Sequence, residues 1–397
     1  FPILAQIEGV YIPSLYTPKY SSDGQLLAVK AIRSDIPPSI TKQTWKGNTL
    51  SHSTVITPDA VWPNIHMVEV VRSCPELCRF CLASYLTLPF RSPSLQDGLI
   101  PAVEKGLTVT KRLGLLGASV TQHPEFLDLL NWLNHDRFED LHLSVSSVRA
   151  STVSSIMAKM LARRGCKSLT IAIESGSEKI RNLVNKKLSE EEIINSAQYA
   201  KEAGLNGLKL YGMVGLPKED LSDINQTADL LLRLKKQTSG LRLTLGVSTF
   251  VPKAHTPFQW NGVCPESKKH LKLLTKKLKP NGIQVRAESY GWSIIQALLS
   301  RSDRRVAPVI ALVRGSQNSL GSWKKAYKAI QEADTSNHTN PLLSLPKPPH
   351  WEEVIHQNWD TSRVLPWEHL HGPLKKESLI KHHKDSLNQA TEDTQKN

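Results

Sequence analysis

Six short apolar runs alternate with amphipathic segments between residues 66 and 282, and this alternation restricts the fold of the chain more than any other feature. The runs are rich in Val, Ile and Leu, which is typical of buried parallel strands. They cover residues 67–71, 113–118, 141–145, 169–173, 208–214 and 243–251. Strands and helices in alternation predict a parallel α/β sheet with right-handed crossovers. Because the sequence has no dinucleotide-binding glycine fingerprint, we favour a partial (β/α)6, TIM-like barrel over a doubly wound sheet, although periodicity alone does not separate the two.

Helix signals fill the spaces between these runs. Ser189 is followed at the third position by Glu192, which is a capping-box signature, and Gly204 is placed to end the same helix. Apolar residues at helical spacing predict further helices over residues 124–134 and 220–236.

The chain divides into three parts by composition. Residues 1–60 are rich in Ser, Pro and Lys and are interpreted as a lead-in segment or linker. Residues 61–282 form the predicted barrel, and the alternation stops there. Residues 283–397 predict a mostly helical C-terminal extension, with a Pro-rich linker near 334–350 and a polar tail from Lys384 that frays.

Charge and cysteine content narrow the class of protein. The 50 Lys and Arg residues exceed the 36 Asp and Glu residues, and the formal charge of +14 admits acidic partners, nucleic acid among them. No apolar run approaches the roughly 18 residues of a membrane helix, so we expect no membrane partner. Five cysteines, three of them within eight residues, indicate a metal site in a reduced, cytoplasmic setting. The chain begins at Phe1 without an initiator Met, which is consistent with a fragment or a processed product.

Cys74, Cys78 and Cys81 form a C-x3-C-x2-C motif directly after the first predicted strand. Thiolates are soft ligands that bind iron–sulfur clusters, zinc or Cu(I). A 4Fe–4S cluster held by three cysteines leaves one iron open to a further ligand. The alternative, structural zinc, requires four ligands, and Cys166 and Cys264 are isolated and read as small apolar fillers.

The motif resembles that of the radical S-adenosylmethionine (radical SAM) enzymes, whose usual form is C-x3-C-x-aromatic-C, with Phe80 as the aromatic residue here. The resemblance implies a 4Fe–4S cluster whose open iron is chelated by S-adenosylmethionine. It further implies that reduction by a flavodoxin- or ferredoxin-type donor cleaves S-adenosylmethionine to a 5′-deoxyadenosyl radical. This radical would abstract hydrogen from a substrate that the sequence does not identify.

The same resemblance implies a cofactor cavity at the ends of the predicted strands. Its cofactor-binding residues would be Phe80, Gly117, Ser119, Ser146, Glu174, Ser175, Arg181 and Gly215. Glu174 is the anomaly, because a carboxylate on an apolar strand must meet hydroxyls or a cation. A structural salt bridge is the alternative interpretation of Glu174. A small-residue strand end is the alternative for Gly117 and Ser119, and an ordinary turn is the alternative for Gly215.

The segment 250–260, which follows the sixth run, is dense in aromatic and polar residues and resembles a subgroup of radical SAM enzymes with an N-terminal cobalamin-binding domain. That domain is absent from this chain, and the resemblance implies that it would precede Phe1. His255 and Trp260 are the catalytic candidates, in a loop that would border the substrate or the partner cofactor. The alternative is that Phe258 and Trp260 plug the barrel against the C-terminal helices.

The function that the sequence favours is therefore a radical SAM enzyme, in which a cobalamin-linked methyl transfer becomes the net reaction if the upstream domain exists. One alternative is a radical tRNA-modifying enzyme, because residues 144–149 resemble the Ser-Leu-Arg segment of methylthiotransferase-like members. Nucleic acid is not the favoured partner, because neither a second three-cysteine domain nor an RNA-binding barrel is found. The other alternative is a non-catalytic zinc or iron–sulfur protein.

Overall fold

A computed structural model describes residues 1–333 and 346–395 of the chain. The strands are, in chain order, β1 Tyr16–Tyr20, β2 Leu26–Ala31, β3 Ile40–Thr41, β4 His66–Val71, β5 Arg112–Gly117, β6 His142–Val145, β7 Ser168–Glu174, β8 Gly207–Val214, β9 Arg242–Thr249, β10 Gln284–Ala287 and β11 Leu370–His371. The α-helices are α1 Leu82–Leu86, α2 Ile100–Leu107, α3 Phe126–Leu133, α4 Ser155–Arg163, α5 Glu178–Leu183, α6 Glu190–Glu202, α7 Leu221–Gln237, α8 Ser267–Leu278, α9 Tyr290–Arg301, α10 Ala307–Val313, α11 Leu320–Glu332, α12 Trp351–Ile355 and α13 Lys376–Gln395.

The strands β4 to β10 lie side by side in chain order and are all parallel to their neighbours. A single parallel bridge between Val148 and Ile171 joins the β4–β6 sheet to the β7–β10 sheet. The six predicted apolar runs coincide with β4 to β9, and the predicted α/β fold with parallel strands and a mostly helical C-terminal region is confirmed. In the described part of the chain, β4 and β10 are not paired, so the strands form an open arc.

The parallel sheet extends further than the sequence indicated. The alternation does not stop at residue 282, because β10 pairs with β9 in parallel register from Gln284 to Ala287. This strand is four residues long and only Val285 is buried, so it carries too little apolar sequence to stand out as a run.

The outer face of the sheet forms the main core. Leu208 and Leu210 of β8 and Leu243 and Leu245 of β9 have no exposed surface and pack with the apolar faces of the surrounding helices. Burying a leucine side chain contributes roughly 1.5–3 kcal/mol. The helix layer, not the interior of the barrel, therefore supplies most of the apolar burial of these strands.

The predicted helix boundaries between the strands are confirmed. Ser189 caps α6: its hydroxyl accepts a hydrogen bond from the Glu192 amide at 3.1 Å, and the Glu192 carboxylate accepts one from the Ser189 amide at 2.7 Å. Gly204 follows α6 with a φ of 74°, the left-handed conformation that favours glycine at a helix end. The helix α7 likewise begins after Asp220, which forms a capping box with Asp223.

The first 60 residues and the C-terminal extension contact each other. β1 and β2 form an antiparallel hairpin, and β3 pairs with β11, so the N-terminal segment lies against residues 370–371. The segment from Lys384, predicted as a frayed tail, is instead the second half of α13. Its neighbours include α5 and the turn Pro257–Trp260. Packing against these elements stabilises the helix, although its own sequence is polar.

Of the linker predicted near 334–350, residues 334–345 lie outside the described residues and 346–350 are irregular. No helix of the described residues is long and apolar enough to cross a membrane. The three-part domain division remains a prediction.

We expect Ser189→Ala to lower the free energy of unfolding by about 1 kcal/mol, because the first turn of α6 loses a capping acceptor. Chemical denaturation followed by circular dichroism measures this loss. Ser222→Ala is the matched control, since Ser222 is an exposed serine in the first turn of α7, which Asp220 caps. An equal loss in both variants would contradict a capping role for Ser189.

Candidate functional site

The three-cysteine loop occupies the carboxyl edge of the barrel. It leaves β4 after Val71 and ends at Cys81, the residue that precedes α1. Cys74 and Cys78 are buried and Cys81 is partly exposed. Ser73 and Leu77, the residues before the first two cysteines, have φ values of 71° and 52°, which turn the backbone sharply at these two places. The backbone of the loop therefore turns sharply before each of its first two cysteines.

The environment of the two buried thiols, Cys74 and Cys78, opposes their ionisation. Burial raises the pKa of Cys74, and burial raises the pKa of Cys78 to about 12, although the nearby Lys186 ammonium acts in the opposite direction. The Cys74 thiol lies 3.6 Å from Oε1 of Gln122, and the Cys78 thiol lies 3.7 Å from the carbonyl oxygen of Asn185. Because thiolates are the metal-binding form, binding of a cationic cluster would have to displace these protons.

The connection between α5 and α6 holds the loop in place. The Asn185 side-chain amide donates hydrogen bonds to the carbonyl oxygens of Glu76 and Leu77 at 2.9 and 3.0 Å. Arg79, between the second and third cysteines, donates from its guanidinium to the Leu183 carbonyl at 2.6 Å. A cation is favourable there because Leu183 is the last residue of α5 and its carbonyl lies at the negative end of the helix.

A polar network extends from the loop across the ends of the neighbouring strands. The Gln122 side chain donates to Oε1 of Glu76 at 2.6 Å, and Arg149 pairs with Glu76 at 3.4 Å. Arg149 also donates to the carbonyl oxygens of Lys186 and Lys187, the first at 3.0 Å. The Glu76 carboxylate thus links residues that follow β5 and β6 to the cysteine loop.

Glu174 ends β7 and pairs with Lys186 at a distance of 2.8 Å. Both residues are almost fully buried, with exposures of 7% and 9%. Burial disfavours the Lys186 ammonium, but the Glu174 carboxylate and the Cys78 sulfur more than offset this, and the pKa of Lys186 is raised. The carboxylate therefore meets a cation, as a buried charge requires. A role for Glu174 toward a cofactor remains a prediction.

Four of the predicted site residues lie near the loop or at the adjoining strand ends. Phe80 packs with Phe250 and Phe258 in a small apolar cluster. At the ends of β5 and β6, the Ser146 hydroxyl donates to the Gly117 carbonyl at 3.3 Å. Ser119 is buried two residues after β5.

Three other predicted residues make contacts within the scaffold. The Ser175 hydroxyl accepts from the Ser177 amide and lies 3.3 Å from the Thr227 hydroxyl. Arg181 donates to the carbonyl oxygens of Ser175, Gly176 and Leu188, so it shapes the turn after β7. A side chain at Gly215 would collide with Ser267, which explains this glycine without a ligand.

His255 and Trp260 lie apart from each other. Trp260 has no exposed surface and packs with Tyr85, Trp359, Leu365 and Leu379. This packing resembles the alternative interpretation, in which Phe258 and Trp260 plug the barrel against the C-terminal helices. The intervening Phe258 donates its amide to the Arg79 carbonyl at 3.3 Å, so this segment touches the cysteine loop.

His255 has a φ of 58° and lines a separate cavity of about 510 Å³ with Trp367 and His371. Burial, and then His371, lower the pKa of His255. His255 is therefore in its neutral form over a wider pH range than an exposed histidine.

A second cavity, of about 550 Å³, opens on the inner face of β7 to β10. Glu174 lines its end at the carboxyl edge, and Lys209, Tyr211 and Arg286 line its depth. This cavity connects the interior of the barrel with the neighbourhood of the Glu174–Lys186 pair.

The sequence did not single out Glu76, Gln122, Asn185 or Lys186 as site residues. Of these four residues, only Glu76 has a sequence feature that indicates a role in the site, namely its position inside the cysteine motif. Asn185 and Lys186 stand in an Asn-Lys-Lys segment that reads as a solvated loop, although both pack against the cysteine loop.

Comparison with known proteins identifies the domain. The family model "Radical SAM superfamily" matches residues 68–231, which include the cysteine loop, β4 to β8 and most of α7. Residues 68–231 form a radical SAM domain. Members of this superfamily are enzymes that use a 4Fe–4S cluster and S-adenosylmethionine.

Two curated relatives represent the range of similarity. An uncharacterized protein of Methanocaldococcus jannaschii is 33% identical over 261 residues, covering 65% of this chain and 57% of that protein. A tRNA-2-methylthio-N(6)-dimethylallyladenosine synthase of Alkaliphilus oremlandii is 27% identical over 173 residues, covering 41% of this chain and 37% of that enzyme. The chain thus spans between about a third and three fifths of the length of these two relatives.

Two solved structures with a radical SAM domain are similar at low identity. The radical S-adenosylmethionine methyltransferase TsrM of Kitasatospora setae is 14% identical with a TM-score of 0.41, covering 49% of this chain and 36% of that one. The cobalamin-dependent radical enzyme OxsB is 12% identical with a TM-score of 0.39, covering 83% of this chain and 54% of that one.

The donor set of this radical SAM domain fits a cluster with one open iron. Three thiols lie on one loop, while Cys166 contacts the Leu143 carbonyl and Cys264 lies beside Gly215. The number of thiols on the loop, three and not four, matches a cluster held by three thiolates better than a closed four-ligand zinc site.

We expect Lys186→Met to destabilise the protein by roughly 3–5 kcal/mol, because it leaves the Glu174 carboxylate buried without a cation. Thermal unfolding measures the loss. Lys187→Met is the matched control, since Lys187 is the adjacent lysine and is exposed.

The double variant Glu174→Gln with Lys186→Met should recover most of the stability, because no uncompensated charge remains. A double variant no more stable than Lys186→Met alone would show that the pair is not what stabilises this edge of the barrel.

Proposed function

We propose that this chain is a radical SAM enzyme in which Cys74, Cys78 and Cys81 would hold a 4Fe–4S cluster. The observation that carries the proposal is the position of three thiols on one loop, at the carboxyl edge of the first barrel strand. Active sites of parallel barrels lie at that edge. When bound and reduced, the cluster supplies the electron that cleaves S-adenosylmethionine to a 5′-deoxyadenosyl radical.

The residues around the loop would keep its geometry constant. Asn185 and Arg79 fix the backbone of the motif by hydrogen bonds to and from its carbonyl groups and to the end of α5. These hydrogen bonds would hold the backbone that bears the thiols, and a site with an open coordination position depends on ligands in a fixed arrangement.

The C-terminal extension would help to exclude water from this side of the site. The Tyr85 hydroxyl is 3.0 Å from Nδ1 of His382, and Arg79 donates to Oε1 of Gln389 at 2.8 Å. Both partners belong to α13, which lies against the loop, and His383 of the same helix contacts the Phe258 ring. Excluding solvent protects a reactive radical from side reactions.

The remaining partners follow from this chemistry. The enzyme would need a reducing donor of the flavodoxin or ferredoxin type and a substrate with an abstractable hydrogen. A cytoplasmic location is consistent with five cysteines that form no disulfide among the described residues. Where a cobalamin-binding domain accompanies the chain, the net reaction that we favour is methyl transfer through cobalamin, which the resemblance of residues 250–260 supports.

A second candidate function is radical modification of tRNA. It is favoured by the similarity to a tRNA-modifying synthase and by the formal charge of +14. A salt-dependent complex with tRNA would distinguish this candidate from an enzyme acting on a small molecule.

Anaerobic reconstitution should load about four irons and four sulfides per chain, as a single 4Fe–4S cluster requires. Cys74→Ala, Cys78→Ala and Cys81→Ala should each lose the cluster, measured by iron and sulfide analysis and by visible absorbance. Cys166→Ala and Cys264→Ala are the matched controls and should retain it. Zinc without sulfide in the wild-type protein would overturn the assignment.

The reduced, loaded protein should convert S-adenosylmethionine to 5′-deoxyadenosine and methionine, slowly in the absence of substrate. The double variant Glu174→Gln with Lys186→Met, which is expected to keep most of the stability, should reduce this conversion and weaken S-adenosylmethionine binding while leaving the iron content unchanged, because Glu174 is proposed to line the cofactor cavity and not to ligate iron. Chromatography of the products and equilibrium binding measure the two effects. Loss of iron, or unaltered S-adenosylmethionine affinity, would assign Glu174 to structure alone.

A further inference from the structure

The inner face of the barrel between β7 and β10 carries polar side chains where a filled barrel carries branched aliphatic ones. On β8, Lys209 and Tyr211 are exposed, while the alternating Leu208 and Leu210 are fully buried against the helix layer. On β10, Arg286 is exposed in the same way. The strands thus pack on the helix layer through their outer face, and the side chains of their inner face are accessible from the cavity.

The pairing register places these side chains in two successive rows. Thr170, Lys209, Thr244 and Gln284 are paired across the four strands in the lower row. Ala172, Tyr211, Gly246 and Arg286 form the next row toward the carboxyl edge. Lys209 and Arg286 therefore lie on one inner face, in neighbouring rows.

The small residues of the second row leave room beside an aromatic ring. A Cβ atom at Gly246 would lie 3.0 Å from Cδ1 of Tyr211, so the ring rests against bare backbone there. Tyr211 is nevertheless 50% exposed toward the cavity. The volume of about 550 Å³ is in the range of small-molecule sites, and the ring offers an apolar surface to a ligand.

The cavity has an excess of unpaired positive charge. Neither Lys209 nor Arg286 forms an ion pair or a side-chain hydrogen bond with any residue that the structure describes. Of the two carboxylates that line the cavity, Glu174 pairs with Lys186, whereas Glu288 forms no ion pair with any described residue, so two unpaired cations stand against one unpaired carboxylate. Two cations thus face the cavity without a partner.

We propose that Lys209 and Arg286 bind the carboxylate or phosphate group of a small-molecule substrate inside the barrel, with Tyr211 against its apolar part. A guanidinium can bind either anion through two parallel hydrogen bonds, and the ammonium adds a point charge. The proposal rests on the proposed function, because it assigns the substrate of that same barrel.

The position of the cations sets which end of the substrate reacts. Lys209 is paired with Thr170, four residues before Glu174, so it lies about 13 Å below the carboxyl edge at the usual strand rise. A substrate held there by its anionic group would extend its other end toward the cysteine loop. The anion is therefore the anchor, and the distal carbon atoms are the ones presented for hydrogen abstraction.

Calorimetric titration of the cluster-loaded chain with benzoate, phenyl phosphate and the uncharged benzyl alcohol tests the proposal. At least one of the two anions should bind roughly tenfold or more tightly than benzyl alcohol, and Lys209→Met and Arg286→Gln should each weaken it by a similar factor. Preference for phenyl phosphate or for benzoate identifies the anion as phosphate or carboxylate.

The charge-retaining Lys209→Arg should restore most of the affinity, which loss of fold would not allow. Lys272→Met and Arg314→Gln, exposed cations outside the cavity, are the matched controls. Binding of both anions no tighter than that of benzyl alcohol, or equal losses in the control variants, would overturn the proposal.

The two proposals fail separately. Wild-type protein that forms 5′-deoxyadenosine but binds neither anion would contradict the substrate assignment alone. Wild-type protein that binds an anion through Lys209 and Arg286 but holds no cluster would contradict the radical SAM function while supporting an anion site.

Discussion

Asn185 connects the two halves of the barrel at the point where the chemistry is proposed. Its side-chain amide donates to two carbonyl oxygens of the cysteine loop, which follows β4, although Asn185 itself follows α5 and β7. Among the described strands, the β4–β6 and β7–β10 sheets share one isolated backbone bridge, between Val148 and Ile171. At the carboxyl edge, the Arg79 amide also donates to the Val184 carbonyl at 3.0 Å. The conformation of the cysteine loop therefore depends on hydrogen bonds to the segment that bears Asn185.

The charges at this edge form one connected system. Lys186 is adjacent to Asn185 in sequence, pairs with Glu174 and lies near the Cys78 sulfur. Arg149 joins the system from the end of β6 through Glu76 and through the carbonyl oxygens of Lys186 and Lys187. Because two of the cations and both carboxylates are buried or nearly so, removing one partner leaves a charge that water cannot solvate. The same residues thus stabilise the edge and set the electrostatic environment of the thiols.

The elements that the sequence predicted well are those with a strong local signal. Each of these signals is contained in a few consecutive residues: the apolar runs of β4 to β9, the capping box at Ser189 and the three-cysteine motif. What the sequence did not predict depends on distant contacts. β10 has one buried residue, α13 is polar but lies against the cysteine loop, and Lys186 reads as solvated although it is buried against Glu174. Family resemblance likewise directed attention to Ser175 and Arg181, whose observed partners are backbone and Thr227.

The inner face of the sheet can be polar because the outer face supplies the apolar burial. Each strand from β7 to β9 has one face of Leu, Ile and Val that packs on helices, so the energy that holds the sheet does not require a filled interior. An open arc of strands can then carry Lys209, Tyr211 and Arg286 on its concave side, because solvent or a ligand can reach their charged and aromatic groups. In a closed, filled barrel the two cations would have to be desolvated without a partner, which costs far more than one strand can offset. An interior with unpaired cations is therefore compatible with this fold only as a place that water or an anionic ligand occupies.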